Sequence, residues 1–164
     1  MPLTRKVIED DWEAIKSIYE EGIHSGNATF ETTAPSKEQW FTSHNLDCSI
    51  VCLDGGEILG WASLSPVSSR CVYAGVGENS IYIKASARGR GMGHLLLGQL
   101  VDLSEKNGFW TIQTGIFPEN LASIALHSKH GFREVGLRKK VGKMNGVWRD
   151  VLFMERRSEI VGID

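Results

Sequence analysis

The sequence predicts an α/β (α+β) fold in which a mixed, mostly antiparallel central sheet carries helices on both faces. Three observations carry that expectation. The β-rich runs SIVCLD and EILGWASL flank Asp54-Gly55-Gly56, the signature of an antiparallel hairpin. A leucine-rich helical pattern from Met92 to Lys106 follows a glycine-interleaved loop, RGRGMGH, which itself follows a strand-like run. Beyond it, TIQTGIF, a helical ENLASIALHSKHGF and two further β-rich runs, REVGLRKKV and VWRDVLFMER, give the order β-α-β-β.

The 164 residues, 41% of them hydrophobic, suit one domain spanning 1–164 with a single sizeable core. No repeat, low-complexity tract or Pro/Ser-rich linker divides the chain. Along it, Asp10 to Glu21 reads as an amphipathic helix, with Trp12, Ile15, Ile18 and Tyr19 at three- and four-residue steps and Gly22 as its stop. Residues 23–35 lack a period and read as a loop. Ser36 and Gln39 form a capping-box pattern before a short helix to about His44. A strand is expected from Val72 to Ile83, the Leu121–Lys129 stretch is expected to be helical, and Asn107-Gly108 ends the leucine-rich helix.

Composition excludes several functions. A net charge of −2 argues against a nucleic-acid binder, which carries a strongly basic face. The amino terminus lacks the apolar core of a secretory signal, and no stretch nears the roughly eighteen apolar residues of a membrane span; a cytoplasmic protein is expected. Cys48, Cys52 and Cys71 form no C-x-x-C pair and have no histidine at ligand spacing, so neither disulfides nor a metal site is expected.

The glycine loop holds the chemistry. A strand entering a helix through glycines aims unpaired backbone N–H groups and the positive end of the helix dipole at one point, where a phosphate fits. A nucleoside-triphosphate loop needs Gly-Lys-Ser/Thr, but this chain has Gly93-His94-Leu95. A dinucleotide fingerprint needs G-x-G-x-x-G early in a βαβ unit, and here the third glycine comes one place too soon. What remains is Arg88-x-x-Gly91-x-Gly93, which resembles the R/Q-x-x-G-x-G/A pattern of the GCN5-related N-acetyltransferase (GNAT) superfamily. Asn120-x-x-Ser123-x-x-Leu126-His127-x-x-x-Gly131-Phe132 is similar to that superfamily's second signature. The segments NATFETTAPSKEQW, GENSIYIKASARGRGMG, NLASIALHSKHGF and GKMNGVWRDVLFM resemble, in order, those of the phosphinothricin N-acetyltransferase family.

That resemblance implies the GNAT fold, acetyl-CoA as cosubstrate without a metal, acetyl transfer to the α-amino group of a small amino acid or analogue, and a homodimer. It also implies site roles. Arg88, Gly89, Arg90, Gly91, Met92, Gly93 and His94 would hold the pyrophosphate, and Ile81, Tyr82, Ile83 and Asn120 the pantetheine arm. Glu78 matches the family's base, which a largely protonated amine requires at neutral pH. Without the resemblance it reads as an ordinary strand-end carboxylate. His127 stands where the wider superfamily has tyrosine, as proton donor or substrate-positioning group, or else as a buried structural histidine. Phe30, Arg70 and Tyr73 are candidates for the acceptor pocket, the arginine as partner for a carboxylate or phosphinate. Ser68 stands where a second basic residue is usual in the phosphinothricin enzymes, which leaves methionine sulfoximine or sulfone open as acceptors. Two rival readings are a peptide or protein N-terminal acetyltransferase and a non-catalytic acyl-CoA-sensing module.

Overall fold

In the computed structural model, which describes residues 1–164, a short strand β1 (Leu3–Lys6) leads into helices α1 (Trp12–Ser25) and α2 (Lys37–Ser43). The hairpin β2 (Asn45–Asp54) and β3 (Glu57–Pro66) follows, then β4 (Val76–Ile83) and α3 (Met92–Lys106). Strand β5 (Thr111–Ile116), helix α4 (Leu121–Lys129) and the hairpin β6 (Arg133–Met144) and β7 (Val147–Arg157) complete the chain. One seven-stranded sheet results, in the order β1-β2-β3-β4-β5-β7-β6. Every neighbouring pair is antiparallel except β4 with β5.

Each face of the sheet is buried by a different helix pair. On one side α1 and α2 enclose Trp12, Ile15, Ile18 and Trp40 against Val51 and Trp61. On the other, α3 lays Leu96, Leu97 and Leu100 on Ile50, Leu64, Ile112 and Met154, and Ile124 and Leu126 of α4 pack at its margin. The alternation along β2 and β3 splits their residues between these layers, as strand geometry requires.

The parallel pairing fails early, and this positions the site. Val76, Gly77 and Glu78 pair with Thr111, Ile112 and Gln113, after which β4 and β5 part. Beyond that point β4 stays bonded to β3 through Ile83↔Gly60, and β5 to β7 through Ile116↔Leu152. A wedge therefore opens in mid-sheet. A second irregularity lies in β6, where Arg138 pairs with Val151 and Gly142 with Arg149, leaving three residues opposite Asp150 alone. Lys140 there takes φ +48°, unusual for a residue with a Cβ, and its N–H is held by Asp150 Oδ1 at 2.8 Å.

The helix and strand order agrees with the sequence reading, and the Ser36/Gln39 capping box forms with both reciprocal bonds. Three expectations differ. Helix α1 runs past Gly22 to Ser25 and stops at left-handed Gly26, φ +75°. Gly22 is instead a packing glycine: a Cβ there would lie 2.7 Å from the Tyr82 ring. Strand β4 begins at Val76 rather than Val72, because residues 71–73 make a 3-10 turn and Gly75 O receives the Trp110 and Thr111 N–H groups. Strand β1 was not anticipated, since Leu-Thr-Arg-Lys is short and exposed and carries no period.

Candidate active site

The loop from Arg88 to Gly91 turns into α3 through two left-handed glycines, Gly89 at φ +75° and Gly91 at +81°. None of the six backbone N–H groups from Gly89 to His94 has a backbone acceptor; the first to find one is Leu95, bonded to Gly91 O. Six free donors at the amino end of a fifteen-residue helix form an anion cradle. The side chains divide. Arg88 is exposed beside the cradle, whereas Arg90 pairs with Asp54 at 2.8 Å and braces the loop from behind. Met92 is buried beside Cys52, so it offers the cradle only its backbone. His94 Nδ1 lies 3.1 Å from His130 Nε2, joining the start of α3 to the C-terminal end of α4.

From this cradle a cleft of about 670 Å³ runs along Ile81, Tyr82 and Ile83 toward Asn120 and Ser123. Lys84 N–H bonds back to Leu59 O, so by two-residue alternation the N–H groups of Ile83, Ile81 and Asn79 face the wedge. An extended ligand arm laid there borrows the edge of β4 as an added strand would. Asn120 spends its side chain on the fold. Its Oδ1 caps α4 through the Ser123 N–H, and its Nδ2 donates to Asn27 O at 3.3 Å.

A second cavity, about 550 Å³, adjoins the first and shares Ile81, Tyr82, Asn120 and Ser123 with it. Glu78 lines it at the last rung of the parallel pairing, exposed and without an ion-pair partner. Phe30 forms part of its roof, edge-on to Phe117 at 4.8 Å and so close over Gly142 that a Cβ there would meet the ring at 2.7 Å. Arg70 and Tyr73 do not line it; they stack on each other, 5.6 Å from guanidinium to ring, in the loop before β4.

Three groups that line or brace this cavity were not assigned from the sequence. Asn79 is 6% exposed, and its Nδ2 stands 3.0 Å from His127 Nε2. His127, 1% exposed, has Nδ1 2.7 Å from the Ser123 carbonyl oxygen, so Nδ1 carries the proton and Nε2 accepts. Burial holds its pKa below the usual histidine value, with the Ser123 carbonyl pulling the other way and His130 adding to the depression. The Asn79 Oδ1 is left without a partner in the protein. Arg149 is the second group. It donates to Gly26 O at 2.9 Å and Asn27 Oδ1 at 2.8 Å while covering the Phe117 ring at 3.9 Å, and thereby ties the 26–30 loop over the cavity. Arg138 is the third, the only lysine or arginine in the cavity wall. Asn79 sits in the quoted GENSIYI run, but nothing in that run reveals that β4 turns it toward α4.

An anion cradle at a helix start, a strand edge freed for an extended arm, and a carboxylate at the closed end of the wedge together define an enzyme that binds an acylated coenzyme and uses it on a second ligand. The chain belongs to the acetyltransferase (GNAT) family, whose model matches residues 12–132. It is similar to the phosphinothricin N-acetyltransferase of Streptomyces coelicolor, 33% identical over 95% of this chain and 99% of that protein. Among solved structures it is similar to a GNAT superfamily phosphinothricin acetyltransferase from Sinorhizobium meliloti in complex with AcCoA (TM-score 0.86, 33% identity, 99% of this chain and 96% of that one). It is also similar to a ribosomal-protein-alanine N-acetyltransferase from Brucella melitensis (TM-score 0.88, 33% identity, 95% and 99%). The protein is thus an acetyl-CoA-dependent N-acetyltransferase, and the cradle at Gly89–His94 suits the coenzyme's pyrophosphate. No helix is long and apolar enough to cross a membrane, and no cluster of three or more His, Cys, Asp and Glu side chains is placed to hold a metal ion.

Proposed function

We propose that this enzyme moves the acetyl group of acetyl-CoA to the α-amino group of a small amino acid or amino-acid analogue. One observation carries the reading: the coenzyme cleft and the Glu78 cavity share Ile81, Tyr82, Asn120 and Ser123 where β4 and β5 part, so a thioester in one would lie beside an amine in the other. Glu78 takes the proton from the incoming ammonium, and the Ile81 N–H is offered to the thioester oxygen as negative charge develops there. Arg88 and the free N–H groups of 89–94 hold the pyrophosphate, with Gly89 and Gly91 leaving the backbone accessible. His127 is a positioning group. Its Nε2 is already an acceptor, so its work is to orient the Asn79 amide rather than to protonate the leaving thiolate.

Phe30 closes the cavity over a small acceptor, which favours an amino acid over a peptide. The likeness to a ribosomal-protein-alanine acetyltransferase keeps a peptide amino terminus as the second reading. The net charge of −2 favours a small-molecule acceptor over nucleic acid, and acetyl-CoA supply favours a cytoplasmic setting. A homodimer is supported by the exposed apolar side chains Val135, Leu137, Val147 and Trp148 on the β6–β7 hairpin, and sedimentation at several concentrations checks it. The test of function is thiol release from acetyl-CoA against amino acids, methionine sulfone and sulfoximine, phosphinothricin and Ala-started peptides. Turnover only with peptides would replace the proposal, and tight coenzyme binding with no turnover would leave a sensing module.

A further inference from the structure

We propose that Arg138 recognises the carboxylate of the acceptor, an inference that rests on the amino-acid reading of the Glu78 cavity. A zwitterionic amino acid brings an ammonium for Glu78 and a carboxylate that needs a cation. The charged side chains of the cavity wall are Glu31, Glu78 and Arg138. Two carboxylates repel an incoming anion, so the single guanidinium decides where that anion sits.

Other arginines near the site are committed elsewhere. Arg149 is spent on Gly26, Asn27 and Glu119, and Arg70 stacks on Tyr73 outside the cavity. Arg88 lines the coenzyme cleft and not this cavity. Arg138 is exposed, lines the cavity and makes no hydrogen bond or ion pair through its side chain within the protein, and its fork of N–H groups matches a carboxylate in bidentate geometry.

The backbone points the same way. Arg138 is the last paired residue before the bulge in β6, and it lies opposite Val151, itself part of the cavity wall. The bulge is held open by a positive φ at Lys140 and its bond to Asp150, and it brings Val141 and Gly142 into the same wall. Bulges beside binding sites redirect side chains, and a costly backbone conformation kept in place by a dedicated hydrogen bond marks a functional constraint. The preferred acceptor therefore carries both an amine and an anion, with the remaining side chain under Phe30.

The experiment compares L-methionine sulfone with 3-(methylsulfonyl)propylamine, the same molecule without its carboxylate, on wild type, Arg138→Ala, Arg138→Lys and Lys139→Ala. Two readouts are taken: kcat and KM from thiol release, and calorimetric titration of each acceptor into the CoA-loaded protein. Arg138→Ala is expected to raise KM for the sulfone about 10- to 100-fold with kcat little changed, as loss of hydrogen bonds to a charged group implies, and to leave KM for the amine unaltered. Arg138→Lys should recover part of the loss, and Lys139→Ala, which removes the neighbouring charge, should behave as wild type. Equal shifts for both acceptors, no shift for either, or no binding of the sulfone to wild type would overturn the inference. The two readings separate cleanly. Sulfone binding that is lost in Arg138→Ala without any thiol release defeats the acetyl-transfer reading alone, whereas thiol release indifferent to the carboxylate defeats the Arg138 assignment alone.

Discussion

In the proposed mechanism Glu78 is the residue on which turnover depends most directly. It stands at the last rung joining β4 to β5, with its carboxylate in the acceptor cavity and no cation to occupy it. Glu78→Gln keeps shape and size but cannot take a proton. Thiol release at neutral pH is expected to fall by about a hundred- to ten-thousand-fold, the usual worth of a general base, while acetyl-CoA binding measured by calorimetry stays intact. His127 permits a different kind of prediction. Burial depresses its pKa, as it does for His44 and His130, so the unfolded chain binds protons more readily than the folded one below the ordinary histidine pKa of 6.5. Stability is therefore full above about pH 6.5 and falls as the pH drops toward the depressed folded values. Thermal melts between pH 7.5 and 5 are expected to show that loss, and His127→Asn is expected to flatten part of the slope. Glu78 was legible in the sequence only through its resemblance to the family's base. Asn79 and Arg138 were not, because their meaning depends on which strand edge is free and where a bulge falls, and no local pattern encodes either.

Among the elements, the strand–loop–helix unit from β4 to α3 does the most work. Its helix bounds at Met92 and Lys106 agree with the sequence reading because leucine periodicity and the glycines at either end are local signals. Gly91, at φ +81°, faces open space on its Cβ side in the free protein. Gly91→Val therefore meets no neighbour, but a β-branched residue resists a left-handed backbone and would crowd the phosphate site. The expected result is a cost of about 1–3 kcal/mol in stability, together with weaker acetyl-CoA binding by titration; unaltered binding would relocate the pyrophosphate. Helix α1 shows where such reading stops. Gly22 has the appearance of a helix stop, yet it lies under the Tyr82 ring as a close-packing position, and only the tertiary arrangement distinguishes the two roles.

At the scale of the whole molecule, the strands divide into two blocks, β1–β4 and β5–β7, each held by antiparallel pairing. Between the blocks the sheet has only the three rungs from Val76↔Thr111 to Glu78↔Gln113. The layer of α3 crosses this seam with Ile112, Ile116, Leu152 and Met154 on one side and Ile50, Ala62 and Leu64 on the other. The sheet is thus a zipper closed at one end, and in the proposed binding mode the coenzyme arm supplies the missing teeth. Amide deuterium uptake at Ile81 and Ile83 should be rapid in the free enzyme and slow markedly once acetyl-CoA is added, with the strands far from the seam little affected. Uptake at those two amides that ignored the ligand would mean that the arm lies elsewhere. In such a design the substrate doubles as mortar, and the enzyme is stiffest when it is loaded to react.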